Sequence, residues 1–245
     1  MITFKEYLAE DITQLSPFIK LVKRDCQPFL KSADDPLYRG INTEKSTSVK
    51  GMGPYAIKGT VRKDRRRKDS NSRLHDAANK GLAKAFGVDG RSESLFCSFS
   101  GPIADQYGGS GHASRYLIFP IGPVSYIWSP IMADLYDVFD QSWGEWSDMD
   151  GIDDMVETAI AELDLRNQDG KYMDKMDVEP EDRDDIVDYI FQHHTKDLYT
   201  MDDTYSGPMT HEVMVLCDHY YGIRVKDLET EFDVGAHELL KACKK

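Results

Sequence analysis

The chain has 245 residues, 40% of them hydrophobic, and a formal net charge of −13; that is apolar material enough for one large domain or two small ones with a true core. No stretch approaches the roughly 20 uninterrupted apolar residues of a membrane-spanning helix, and the basic-then-apolar layout of a secretory signal is absent from the N-terminus, so no membrane partner is expected. Cys26, Cys97, Cys217 and Cys243 show no C-x-x-C spacing, which argues against a zinc knuckle or a disulfide framework and leaves reduced thiols as the default.

In chain order, Ile12, Leu15, Phe18, Ile19, Val22, Cys26 and Leu30 recur at helical spacing, interrupted near Pro17 and Pro28. "DDPLYRG" predicts a short strand at about 36–40, followed by a polar, Gly-rich loop. From about Ser72 a helical stripe of Leu74, Ala77, Ala78, Leu82, Ala85 and Phe86 ends at Gly87, a common helix stop. "SESLFCSFS" predicts the next strand, and "RYLIFPIG" and "VSYIWS" two more, read as a hairpin about Gly122-Pro123. Residues 131 to about 198 are acidic and mainly helical. There Ile152, Met155, Val156, Ala159, Ile160 and Leu163 form one stripe and Ile186, Val187, Ile190 and Phe191 a second, a pairing that predicts a helical insertion over about 131–205. A run at 210–223 that reads as one strand, centred on 212–217, and a helix from about Val234 to Ala242 complete a pattern without βαβ alternation, hence an α+β fold.

Charge is unevenly spread. Residues 49–91 hold twelve Lys/Arg against four Asp/Glu, whereas residues 133–205 hold five against twenty-three. The acidic block reads as a solvated helical surface or a docking face for a basic partner. The basic run within 58–73 reads as a solvated loop, a phosphate-binding element, or a DNA contact made through backbone phosphates without base stacking, because no aromatic residue is interleaved in it. Calcium is a poor fit to "WSDMDGIDDMVE": with Gly151 in sixth place, Trp146 would occupy the first ligand position.

Three short stretches bear on chemistry: "LYRG" (Leu37 to Gly40), "FCSFS" (Phe96 to Ser100) and "HEVMV" (His211 to Val215), each on or beside a predicted strand. Glu212 heads an otherwise apolar run, where a carboxylate either caps the strand in solvent or faces a pocket. In that order the three resemble the Arg-Ser-Glu signature of the mono-ADP-ribosyltransferases, in which one strand carries Arg-Gly, a second reads aromatic-x-Ser-Thr-Ser and a third opens on Glu, runs on apolar and closes with Tyr-x-Ile. Phe99 stands where the family has Thr, and Tyr221-Gly222-Ile223 supplies the closing motif.

The resemblance implies a split β-sheet core over residues 11–245 and NAD as substrate. Glu212 would stabilise the cation-like sugar that forms as the nicotinamide-ribose bond breaks. Ser98 would orient that carboxylate, Arg39 would hold the diphosphate with its permanently charged fork, and Gly40 would receive the nicotinamide carboxamide on its main chain. Phe96 and Ser100 complete the expected NAD-binding set. Members that modify arginine carry Glu or Gln two residues before the catalytic Glu. Thr210 stands there, so the acceptor is left open between a protein side chain and a nucleic acid.

The decapeptide "MITFKEYLAE" resembles the capsid-targeting leader of T-even-type phage internal proteins, which ends in Leu/Ile-x-Glu, matched by Leu8-Ala9-Glu10. Together the two resemblances imply an ADP-ribosyltransferase packaged inside a phage head and injected into the host cytoplasm. The alternatives are a non-catalytic internal head protein that binds DNA or a host factor, and a nuclease inhibitor that mimics DNA with the acidic block.

Overall fold

The computed structural model describes residues 15–42, 49–52, 55–63, 72–107, 114–141, 143 and 151–245. The proposed leader, residues 43–48 and 53–54 of the polar loop after 40, and most of the basic run lie outside them. The fold is α+β, with helices and antiparallel sheets. Two compact units are present. The first takes in residues up to 62, 94–127 and 202–245; the second comprises 63–93 and 128–201. The acidic helical region predicted at about 131–205 is thus joined in the second unit by the helix that starts at Ser72.

The first unit opens with α1 (Ser16–Asp25) and α2 (Gln27–Ser32). Pro17 and Pro28, read from the sequence as interruptions, sit in the first turns of these helices, where a missing N–H costs nothing. Next come β1 (Tyr38–Ile41), β2 (Val49–Gly51), β3 (Ala56–Thr60), β5 (Ser114–Ile121) and β9 (His219–Arg224), which form a five-stranded sheet of order β1-β5-β9-β3-β2. A second sheet sets β8 (Val213–Leu216) between β4 (Leu95–Cys97) and β6 (Ser125–Trp128), while β7 (Thr200–Asp202) falls at the chain boundary of the two units.

One face of the larger sheet is covered by the N-terminal helices. Phe119 meets Phe18 and Phe29 edge-on at 5.8 and 5.9 Å, and the Tyr221 hydroxyl donates to Asp25 at 2.6 Å. The closing helix α10 (Ala236–Lys244) packs Leu239, Leu240 and Cys243 beneath α1 and α2. Gly59 of β3 lies opposite Tyr220 of β9, and a Cβ there would fall 2.0 Å from the ring. Glycine is what allows that ring to lie against the neighbouring strand.

Two sequence expectations are corrected. β5 and β6 do not pair as a hairpin: the turn at Gly122, with φ of +76°, carries the chain out of one sheet and into the other. And 210–223 is two strands. The chain bends at Asp218, which splits the run into β8 in the smaller sheet and β9, the middle strand of the larger. The helices α5 (Gly101–Tyr107) and α9 (Val225–Glu231), unread in the sequence, complete this unit.

In the second unit, α3 (Ser72–Phe86) packs on α7 (Pro180–His193), which also meets α6 (Ile152–Glu162). The buried set contains all three predicted stripes in large part: Leu74, Ala77, Ala78 and Leu82, then Ile152, Val156, Ala159 and Ile160, then Ile186, Val187, Ile190 and Phe191. Between α4 (Gly90–Glu93) and α3, the Asn79 amide oxygen accepts from the Arg91 N–H at 2.9 Å. Gly81 permits a close approach, since a Cβ would meet the Thr195 hydroxyl of α8 (Thr195–Leu198) at 2.3 Å and the Phe191 carbonyl at 2.6 Å. Arg73 pairs with Asp184 at 2.8 Å, one of the few ties on the acidic face of α7. Among the described residues no helix is long and apolar enough to cross a membrane.

Candidate functional site

The strand register brings the three sequence motifs of the first unit to one place. β4 and β8 run antiparallel with Leu95 opposite Val215, Phe96 opposite Met214 and Cys97 opposite Val213. The pairing ends there, with Ser98 the next residue after Cys97 and Glu212 the residue just before Val213. On the other side of β4, Ser98 and Tyr38 exchange main-chain hydrogen bonds at 2.8 and 2.9 Å. Ser98 therefore stands between the start of the Glu212 strand on one side and Tyr38 on the other, and Arg39 follows Tyr38 at once.

Arg39 reaches toward β4. Its Nη1 donates to the Phe96 carbonyl at 2.6 Å, and among the described residues no carboxylate is paired with it. A half-buried guanidinium without a counter-charge is a site for an external anion. Phe96 itself is buried at 6% exposure, so what it offers the site is its carbonyl.

Gly40 belongs to the same edge. Leu37 gives its carbonyl to Ile118 of β5, whereas Tyr38 turns both main-chain groups outward to Ser98. Alternation along an antiparallel strand then turns the Gly40 groups outward too, beyond the last bond to β4. A planar amide could be met there by main chain alone.

Ser98 is fully buried and both of its hydroxyl contacts are local to the site. It donates to the Met209 carbonyl at 3.2 Å and accepts from the Ser100 N–H at 3.1 Å. The hydroxyl thus holds the loop that leads into Glu212, so its hold on the carboxylate is exerted through the main chain. Ser100 begins α5, its carbonyl taking the Ala104 N–H at 3.1 Å.

Residues that sequence reading missed complete the arrangement. Phe99 stacks on Tyr205 with centroids 4.4 Å apart, and the Tyr205 hydroxyl donates to the Pro208 carbonyl, which also receives the His211 N–H at 3.1 Å. Asp203 accepts from the Ser125 hydroxyl at 2.6 Å. Burial pushes the Tyr205 phenol up, keeping it a neutral donor. The loop 203–211 is in this way pinned at both ends and along its middle. Its one sequence signal was Phe99, the departure from the family motif.

The basic segment contributes less to any site. Residues 64–71 lie outside the described residues, Lys58 stands 5.8 Å over the Tyr221 ring, and Arg73 is paired with Asp184.

Comparisons with protein-family models, with curated proteins and with solved structures find no match. The candidate site rests on its own residues and their register.

Proposed function

We propose that this protein is a mono-ADP-ribosyltransferase that cleaves NAD between nicotinamide and ribose and passes ADP-ribose to a protein or nucleic-acid acceptor. The observation that carries the reading is the adjacency of the motifs: Cys97 opposite Val213, with Ser98 and Glu212 the next residues on either strand, Ser98 bridged to Tyr38, and Arg39 beside Tyr38 with no carboxylate partner among the described residues. Three motifs spread over more than 170 residues of sequence lie side by side there, which supports the roles that the resemblance implies for them.

In this reading Arg39 binds the NAD diphosphate as a fixed fork, and the outward main chain of Gly40 receives the nicotinamide carboxamide. Glu212 places negative charge against the ribose as positive charge grows on its anomeric carbon. The electron pair of the breaking bond leaves with nicotinamide, and an acceptor nucleophile then bonds to the same carbon and loses its proton. Ser98, Phe99 and Tyr205 hold the Glu212 loop. The leader-like decapeptide supports packaging in a phage head and injection into the host cytoplasm, where few enzyme copies suffice.

The test is incubation of the purified protein with NAD labelled in its adenylate half and with bacterial lysate. Label should enter a macromolecule, and protease or nuclease sensitivity then identifies the acceptor class. No incorporation, together with no release of nicotinamide, refutes the proposal.

A further inference from the structure

The larger sheet carries a second cation in register with Arg39. Arg39 of β1 is directly opposite Tyr116 of β5, and Tyr116 is directly opposite Arg224 of β9. Directly opposed residues in antiparallel strands point to the same face, so the two arginines flank Tyr116 on one face, with backbones about 10 Å apart by strand spacing. Tyr116 is buried, at 5% exposure, and forms a floor between them.

Each guanidinium is only partly used. Arg39 spends one N–H on the Phe96 carbonyl, and Arg224 donates through Nε to Asp227 at 2.6 Å. Among the described residues no further hydrogen bond or ion pair engages either one. The Arg224 side chain keeps 39% of its exposure, whereas its partner Asp227 keeps 12%, so the carboxylate is a buried strut and the fork stands outward of it. Nε-only pairing leaves the two Nη groups free to take a pair of oxygens side by side.

We infer that Arg224 is a second diphosphate-binding residue, which together with Arg39 clamps the two phosphates of a dinucleotide above Tyr116, with Asp227 as its positioning residue. Two guanidinium groups on one sheet face, either side of a buried tyrosine, suit a group with several oxygens on two linked phosphorus atoms better than a lone monophosphate. The inference rests on the NAD reading for the identity of the natural ligand. It does not rest on it for the anion chemistry, which ADP and inorganic pyrophosphate can probe without any cleavage.

The experiment is titration of the full chain with NAD, ADP, pyrophosphate and nicotinamide, for wild type, Arg224→Gln, Arg224→Lys and Asp227→Asn, with thermal melts to verify folding. Arg224→Gln should weaken ADP and NAD on the order of tenfold to a hundredfold, the range for a lost hydrogen bond to a charged group. Nicotinamide should be unaffected. Arg224→Lys keeps the charge and the Asp227 contact, protecting against misfolding, and should recover only part of the loss because it lacks the fork. Asp227→Asn should weaken ADP to a lesser degree. ADP binding that depends on Arg224 without NAD cleavage upholds the clamp and refutes the transferase. NAD cleavage with a KM indifferent to Arg224→Gln and Arg224→Lys upholds the transferase and refutes the clamp. A wild type that binds none of the phosphates refutes both.

Discussion

At the scale of single residues the account turns on a few side chains with separable effects. Replacing Glu212 by Gln removes a charge from a half-exposed position while keeping the shape. NAD cleavage should fall by about a hundredfold or more, the scale of losing one electrostatic stabiliser, while the melting temperature stays close to that of wild type. Tyr205→Ala acts differently. It removes the ring stacked on Phe99 and the donor to Pro208, and should cost about 1 kcal/mol of stability yet lower kcat severalfold with little change in KM, because the loop that aims Glu212 loosens. Chemical denaturation and steady-state kinetics measure the two. Arg39, Ser98 and Glu212 were legible in the sequence because their neighbours spell short motifs. Met209 and Tyr205 were not, since what makes them matter is a contact made 111 residues away in one case and 106 in the other. Phe99 was visible as a mismatch to the motif, and the stack on Tyr205 gives that mismatch a physical reason.

At the scale of elements, the link between α1 and β9 is sensitive to pH. Arg24 and then the Tyr221 hydroxyl hold the Asp25 carboxyl down to about 2, and burial, followed by the bond to Asp25, holds Tyr221 up to about 12. A depressed carboxyl pKa contributes stability above its ordinary value near 4, and the contribution fades as pH falls toward 2. A raised phenol pKa contributes stability below its ordinary value near 10, fading as pH rises toward 12. Tyr221→Phe should therefore be less stable than wild type by about 1 to 2 kcal/mol between pH 5 and 9, with the gap closing at both extremes; urea unfolding across pH shows it. Packing sets a second expectation. Gly59→Ala drives a methyl group into Tyr220 and should cost about 2 to 3 kcal/mol by overpacking, part of which Tyr220→Ala restores in the double variant. The helical stripes of the second unit were readable because 3.6-residue periodicity is local. The break at Asp218 was not, because apolar residues on both sides of it read as one buried strand, and only pairing partners far away show that the two halves belong to different sheets.

At the scale of the whole molecule, composition and pattern were sufficient for the α+β class, since helical and strand periodicities both occur along the chain without regular βαβ alternation. Which helix belongs to which unit was less visible: the helix at Ser72–Phe86 is separated from its partner at Pro180–His193 by more than 90 residues, and its charge differs in sign from that partner's. The −13 net charge lies mainly in the second unit, whereas Arg39, which has no carboxylate partner among the described residues, lies in the first. Phosphate binding is thus expected to depend on local cations rather than on the overall field, and ADP affinity should weaken only modestly as salt is raised from 50 to 200 mM, by less than the thousandfold seen where six or more phosphates are contacted. The most direct measurement of the central claim is nicotinamide release from NAD by the purified wild-type chain and by Glu212→Gln in parallel. The account predicts steady release from wild type and near-background release from the variant; no release from wild type, or equal release from both, would contradict it.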